Sequence, residues 1–129
     1  MRNARILVVE DDALIRDAVD VILSQIGHQV TTVGTAELAM AQIGRIYPHL
    51  VLLDVGLPRM SGVALLSAIR KEGYRMPVLM LTADRSAETV RDVMANGGNG
   101  YILKPFEPAQ LVRRVTASLS AASAQEPRP

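Results

Sequence analysis

The chain has 129 residues, about the size of one domain. Its 14 Lys+Arg and 13 Asp+Glu leave a formal net charge of +1, so it lacks the basic balance that is typical of nucleic-acid-binding domains. It contains no Cys, which excludes a disulfide framework, a thiolate zinc site and a thiol nucleophile.

Five short apolar runs recur along the chain, each followed by a helical pattern. None approaches the ~18 apolar residues of a membrane span, and none near the N-terminus resembles a signal-peptide core. We therefore expect a cytoplasmic protein with no membrane segment. The predicted strands span residues 5–9, 29–33, 50–53, 77–81 and 101–103.

The segments between these strands have helical periodicity and helix-end signals. Thr35 and Ser86 are typical N-cap residues before the second and fourth helices, Gly27 ends the first, and Pro108 opens the fifth. The second helix runs to about residue 45. The predicted apolar positions are Ile15, Val19, Ile22, Leu23 and Ile26 in the first helix, Val63, Leu66 and Ile69 in the third, Val90, Val93 and Met94 in the fourth, and Leu111, Val112, Val115 and Leu119 in the fifth.

The last ten residues change in composition to Ser, Ala and Pro, from Ser120 onward. We expect one domain over residues 1–121, with residues 122–129 as a flexible tail or the start of a linker. His28 and His49 lie at strand starts and are interpreted as structural. Met40, Met80 and Met94 are expected in the core.

Five strands alternating with five helices predict an α/β protein in which a parallel sheet lies between two helix layers. Ligands of such sheets bind beyond the carboxyl ends of the strands. Polar residues follow four of the predicted strands at that edge. They are Glu10, Asp11 and Asp12 after the first strand, Asp54 after the third, Thr82 after the fourth and Lys104 after the fifth.

Converging carboxylates repel each other, by roughly 3 kcal/mol for two charges about 5 Å apart at an effective dielectric constant near 20. An oxygen-only set favours Mg²⁺ or Mn²⁺ as the compensating ion, and Lys104 adds a fixed positive charge. This combination suits phosphoryl transfer to a carboxylate, with the Thr82 hydroxyl as a hydrogen-bond partner of the phosphoryl group. Each residue alone also has an ordinary structural interpretation. The acids at 10–12 could form a solvated loop and a helix cap, and Asp54 could be a turn residue. Thr82 could be an ordinary strand residue and Lys104 a surface lysine. The constellation favours the functional one.

At this point the chain resembles a response-regulator receiver domain of bacterial two-component signalling, of the chemotaxis-regulator type. The resemblance covers about residues 4–121. It rests on four motifs in order: ILVVEDD at 6–12, LVLLDVGLP at 50–58 with Gly62, VLMLTA at 78–83 and YILKPF at 101–106. It implies a (βα)5 flavodoxin-like sandwich with strand order 2-1-3-4-5.

The resemblance also implies the roles of single residues. Asp54 matches the phosphoacceptor, Thr82 and Tyr101 the switch pair, and Lys104 the phosphoryl-binding lysine, whose bond to Pro105 is expected to be cis. Asp12 is interpreted mainly as a helix-end carboxylate favoured by the helix dipole. The implied magnesium ligands are Glu10, Asp11, Asp54 and the backbone carbonyl of Gly56.

The chain departs from the family pattern at a few positions. Gly98 stands where many relatives have Ala, and Asn99-Gly100 precedes Tyr101 where the winged-helix regulators usually carry two Asp. We therefore expect either a monomer or a phosphorylation-dependent dimer. Gly56 and Asp84 occupy variable positions that tune the lifetime of the phosphoryl group.

The implied function is a signalling switch that catalyses only its own phosphorylation and dephosphorylation. The implied partners are a sensor histidine kinase or phosphotransfer protein, and an effector protein or fused output domain, without direct nucleic-acid binding by this domain. One alternative is a magnesium-dependent phosphatase with an aspartyl intermediate, but Gly56 stands where its general acid would be. Another is a flavodoxin-like cofactor binder, but three acids stand where its phosphate-binding loop would be.

Overall fold

The computed structural model describes residues 3–125, in which five strands alternate with five helices. Most bounds agree with the sequence-based ones to within one or two residues. The elements are β1 (Arg5–Val9), α1 (Ala13–Gln25), β2 (Gln29–Val33), α2 (Ala36–Ile46), β3 (Leu50–Asp54), α3 (Gly62–Lys71), β4 (Val78–Thr82), α4 (Ala87–Ala95), β5 (Gly100–Leu103) and α5 (Pro108–Gln125).

All neighbouring strands pair in parallel, in the order β2-β1-β3-β4-β5. The predicted topology is thereby confirmed. Successive side chains of a strand point to opposite faces, and both faces are covered. Leu7 and Val9 pack in the cluster beneath α2, α3 and α4, whereas Ile6 and Val8 pack in the cluster beneath α1 and α5. The chain is a three-layer sandwich, and its strands read as apolar because both of their faces are buried.

Both histidines hold the start of β1. Nδ1 of His28 accepts a hydrogen bond from the backbone N–H of Ala4 at 3.1 Å, and Nδ1 of His49 accepts one from Arg5 at 2.9 Å. The structural interpretation of these two residues is confirmed.

The guanidinium of Arg70 ties the end of α3 to two loops. It donates to the carbonyl oxygens of Tyr74 and Met76 before β4, and to the carbonyl oxygen of Gly97 and Oδ1 of Asn99 after α4. A planar group with several donors suits this task because it satisfies several loop acceptors at once. The end of α3 is thereby fixed to the loop that follows α4.

The fourth helix is less buried than its sequence predicts. Val93 is fully buried, but Met94 is 56% exposed, so the prediction that Met94 lies in the core is wrong. Val90 and Met94, four residues apart, share a helix face, and that face points away from the sheet. Met80 is buried and Met40 packs partly buried against the core, as predicted.

The last helix is longer than predicted. α5 continues through Gln125, so the backbone of residues 122–125 is helical. Ala is the strongest helix former and Ser does not end a helix, so no stop signal precedes Pro127. The rest of the predicted tail, residues 126–129, lies outside the described residues. Within residues 3–125, no helix is both long and apolar enough to span a bilayer.

Candidate functional site

The first component of the site is Glu10, directly after β1. Its backbone N–H donates to the carbonyl oxygen of Val33 at 3.0 Å, and its own carbonyl oxygen accepts from Nη1 of Arg16 at 3.0 Å. The side chain is fully buried, and its Oε2 accepts from the backbone N–H of Asp12 at 3.3 Å. Backbone contacts on both sides therefore hold a buried carboxylate at the edge of the sheet.

Asp54 is the last residue of β3, next to β1 in the sheet. The residue is buried, with 8% of its surface exposed, and its Oδ1 accepts a hydrogen bond from the backbone N–H of Gly56 at 3.1 Å. A Cβ at Gly62 would lie 2.1 Å from the carbonyl oxygen of Asp54, and Gly62 donates its N–H to Val55 at 2.7 Å. The start of α3 thus packs directly on the backbone of Asp54, which only glycine permits.

Lys104 supplies the positive charge. Its Nζ donates to Oε1 of Glu10 at 2.5 Å and lies 3.5 Å from Oδ2 of Asp54. Burial opposes the charge, but the hydrogen bond to Glu10 and the nearby Asp54 carboxylate together raise the pKa of Lys104. The Lys104–Pro105 peptide bond is cis, as predicted.

Three acids form one cluster at this edge. Each of Glu10, Asp11 and Asp54 offers a carboxylate oxygen, and these oxygens lie within 4.8 Å of one another. Burial, helped by hydrogen bonding to Asp54, outweighs the opposing effect of Lys104 and raises the pKa of Glu10 to about 7. Three carboxylates so close are difficult to ionise together without a further cation, and an all-oxygen set fits a hard divalent ion.

Asp12, the fourth acid of this segment, has a different task. Its Oδ1 accepts from the backbone N–H groups of Leu14 at 2.9 Å and Ile15 at 3.2 Å. It is therefore the N-cap of α1, as predicted. A side chain turned to the helix start is not part of the acid cluster.

Thr82 ends β4 and is 3% exposed. Its carbonyl oxygen accepts from the backbone N–H of Lys104 at 2.9 Å, and its Oγ1 accepts from the backbone N–H of Asp84 at 3.0 Å. The hydroxyl thus lies at the predicted edge of the sheet, where it is bound to the loop that leads to α4.

Tyr101, in β5, packs against the core cluster beneath α2, α3 and α4. Its hydroxyl oxygen is buried and has no hydrogen-bond partner among the residues that the structure describes. Burial raises the pKa of Tyr101, and the charges of Asp84 and Asp92 add to the shift. A buried hydroxyl without a hydrogen-bond partner costs about 1–3 kcal/mol of folding free energy. A ring position that gave the Tyr101 hydroxyl a partner would avoid this cost.

Sequence analysis did not find every residue that shapes the site. Arg16 supports the Glu10 carbonyl, and Thr89 belongs to the hydrogen-bond network of Asp84. Neither has a local signal, because each lies on a helix among other polar residues and acts on a residue brought close by folding.

Comparisons with known proteins identify the family of this chain. The response regulator receiver domain family model matches residues 6–116. The two-component response regulator PhoP of Pseudomonas aeruginosa is 36% identical over 119 residues, 92% of this chain and 53% of PhoP. The transcriptional regulatory protein PmrA of Pectobacterium parmentieri is 41% identical over 113 residues, 88% of this chain and 51% of PmrA.

Solved structures share the fold. NtrX from Brucella abortus, in complex with ADP, has a TM-score of 0.90 and 36% identity over 97% of this chain and 29% of that one. A CheY-like response regulator receiver domain protein from Methanospirillum hungatei has a TM-score of 0.91 and 32% identity over 95% of this chain and 98% of that one. The chain spans about half the length of the curated relatives it matches. Sequence and fold together show that this chain belongs to the response regulator receiver domain family.

Proposed function

We propose that this chain is a phosphorylation-activated switch in which Asp54 accepts a phosphoryl group. The observation that supports this most directly is the position of Asp54, at a strand end with the ammonium group of Lys104 3.5 Å from its carboxylate and two further acids alongside. A carboxylate nucleophile next to a fixed cation suits an attack that gathers negative charge on phosphoryl oxygens.

In the proposed reaction, a carboxylate oxygen of Asp54 forms a P–O bond as the P–N bond of a phosphohistidine breaks. The bonding electrons stay on the imidazole nitrogen, and the product is an aspartyl phosphate. Lys104 binds a phosphoryl oxygen, and the Thr82 hydroxyl donates to another once it turns from Asp84. The donor is a sensor histidine kinase or a phosphotransfer protein. The domain catalyses its own phosphorylation and dephosphorylation and turns over no separate substrate.

The acid cluster fits Mg²⁺, with Mn²⁺ as a substitute, because its donors are all oxygens. Glu10, Asp11 and Asp54 would hold the ion, together with the backbone carbonyl of Gly56. When bound, the ion neutralises phosphoryl charge. The charges support a bound cation, since three carboxylates lie close together and the ion pairs of Lys104 reach Glu10 and Asp54.

The output surface of the proposed switch is the face built from α4, β5 and α5. Val93 is the buried residue of α4, and Val90 and Met94 are partly exposed, so few apolar contacts hold this helix. Weakly packed elements are the ones that rearrange at low free-energy cost. Movement of Thr82 toward the phosphoryl group changes the space available to the Tyr101 ring. The equilibrium between the conformations of the α4-β5-α5 face shifts as a result.

The partner that reads this face is an effector protein or a fused output domain, and the domain itself does not bind nucleic acid. Fusion is supported by relatives about twice as long as this chain, among them a DNA-binding response regulator MtrA of Mycobacterium tuberculosis. We further propose a cytoplasmic location and either a monomer or a phosphorylation-dependent dimer. We also propose that the receiver domain spans residues 1–121.

The proposal is tested with acetyl phosphate and Mg²⁺, with the intact mass as the readout. We expect wild type to gain one phosphoryl group and Asp54→Asn to gain none. Asp12→Asn is the matched control, because Asn is an equally good helix cap and Asp12 lies outside the acid cluster. Phosphate retained by Asp54→Asn would place the acceptor elsewhere.

A further inference from the structure

A closed ring of hydrogen bonds links Asp84 to the first turn of α4. The Asp84 carboxylate accepts from the backbone N–H of Ser86 at 2.8 Å through Oδ1, and from the Thr89 hydroxyl at 2.7 Å through Oδ2. The Ser86 hydroxyl donates to Oγ1 of Thr89 at 3.0 Å and accepts from the Thr89 backbone N–H at 3.2 Å. The loop and the helix start are therefore joined by side chains as well as by the chain itself.

The same residue is joined to the strand end. The backbone N–H of Asp84 donates to Oγ1 of Thr82 at 3.0 Å. Hydrogen bonds therefore run without a gap from the buried Thr82 hydroxyl, through the backbone and carboxylate of Asp84, to Thr89 in the first turn of α4. The hydrogen bonds from Thr89 and Ser86 also lower the pKa of Asp84, so its carboxylate stays a pure acceptor.

The two ends of α4 are held differently. Val93, the buried residue of this helix, lies near its C-terminal end, and a Cβ at Gly98 would lie 2.4 Å from Cγ1 of Val93. Ala87 and Glu88 at the N-terminal end are exposed. Core packing thus anchors the C-terminal end, whereas the Asp84 ring holds the N-terminal end. A helix held in this way can pivot about Val93.

We propose that Asp84 and Thr89 are positioning residues that couple Thr82 to α4, so that displacement of the Thr82 hydroxyl moves the N-terminal end of the helix. This inference rests on the proposed function. When Thr82 turns to a phosphoryl group, the N–H of Asp84 loses its acceptor and the loop moves. Because the ring binds that loop to the first turn, the movement reaches α4. Without the ring, the three exposed residues between Thr82 and Ser86 would absorb it.

The test compares Thr89→Val with Thr89→Ser. Valine has the shape of threonine but neither donates to Asp84 nor accepts from Ser86, whereas serine keeps the hydroxyl. Both variants are phosphorylated with acetyl phosphate and Mg²⁺, and the intact mass gives the occupancy of Asp54. The response of α4 is the phosphate-dependent change in its amide NMR signals or hydrogen exchange over residues 87–95.

The α4 responses are compared at equal occupancy of Asp54, as the intact mass gives it for each of the three proteins. The α4 response should fall by at least about fivefold in Thr89→Val and return in Thr89→Ser, because the loss of even one of the two hydrogen bonds of the Thr89 hydroxyl changes an equilibrium constant by about that factor. An undiminished response in Thr89→Val overturns the inference and leaves the proposed function intact. Wild type that accepts no phosphate overturns the proposed function, and the inference with it.

Discussion

The ammonium group of Lys104 binds Glu10 more closely than Asp54, with N–O distances of 2.5 and 3.5 Å. Lys104 and Glu10 are 94 positions apart, and β3 and β4 lie between their strands in the sheet. The cation therefore reaches across two strands to neutralise the most buried acid of the site. Lys104 therefore pairs with two of the carboxylates, Glu10 and Asp54, that would also bind a divalent ion.

Removal of this cation should make magnesium more important for stability. We expect Lys104→Met to lower the free energy of unfolding by up to about 3 kcal/mol without Mg²⁺, because Glu10 loses its buried partner. Mg²⁺ should bind the variant about tenfold more tightly, since a competing positive charge has gone. Urea unfolding with and without Mg²⁺ measures both effects, and Lys71→Met, at the exposed end of α3, is the control. Equal magnesium effects in wild type and Lys104→Met would contradict this account.

Asp11 and Asp12 should differ in their effect on magnesium binding, although they are neighbours. A ligand that binds only the folded state raises the melting temperature. We expect Mg²⁺ to do so in wild type and in Asp12→Asn, and to have little effect in Asp11→Asn, because only Asp11 belongs to the acid cluster. Thermal unfolding over a magnesium titration measures the difference. If the magnesium effect were lost in Asp12→Asn and kept in Asp11→Asn, Asp12 and not Asp11 would be the magnesium ligand.

Tyr101→Phe should not destabilise the unphosphorylated protein. The hydroxyl is buried without a partner in the described part of the chain, so its removal relieves a desolvation cost. We expect the free energy of unfolding to stay unchanged or rise by about 1 kcal/mol. Chemical denaturation without phosphate donor measures it, and Tyr74→Phe provides a second tyrosine for comparison. A loss of 1 kcal/mol or more, at about the size of a typical hydrogen bond, would mean that the hydroxyl has a partner in solution.

Gly98 should tolerate alanine only if Val93 is made smaller. A Cβ at Gly98 would lie 2.4 Å from Cγ1 of Val93. Valine in a helix has essentially one side-chain rotamer, so it cannot turn away easily. We expect Gly98→Ala to cost about 1–3 kcal/mol in wild type and much less in a Val93→Ala background. A double-mutant cycle by urea unfolding gives the coupling free energy between the two substitutions. Additive costs would show that the loop at Gly98 moves to accommodate the added Cβ and that Val93 does not.

His28 should make stability fall in mild acid. Burial lowers its pKa in the folded protein below the ordinary 6.5. As the pH falls past 6.5, the unfolded chain takes up the proton first, so the stability present above 6.5 is lost as the pH approaches the folded pKa. His28→Asn should reduce this loss, since an amide oxygen accepts from Ala4 without titrating. Unfolding at about pH 7.5 and 5.5 compares the two proteins, and His49 is common to both. An identical pH dependence would remove His28 as its cause.

Local patterns, together with the family resemblance, were sufficient to predict the fold and to group the candidate site residues at one edge of the sheet. The five strands and the N-caps Asp12, Thr35 and Ser86 follow from periodicity and turn residues, whereas the confirmed strand order follows from the resemblance to the receiver family. Strand ends of a parallel sheet meet at one edge, so Glu10, Asp54, Thr82 and Lys104 could be grouped without coordinates. The same local patterns misjudged Met94, because helix periodicity shows which residues share a face but not which face meets the core.

Only the tertiary structure decided how these residues are paired. It placed Lys104 nearer Glu10 than Asp54, joined the Thr82 hydroxyl to Asp84, and left the Tyr101 hydroxyl buried without a partner among the described residues. These relationships depend on side-chain positions across strands that are not adjacent in the chain, to within about an ångström. Sequence periodicity reports the face and the end of an element on which a residue lies. It carries no information at that scale, because distances of this kind arise only when all the layers pack together.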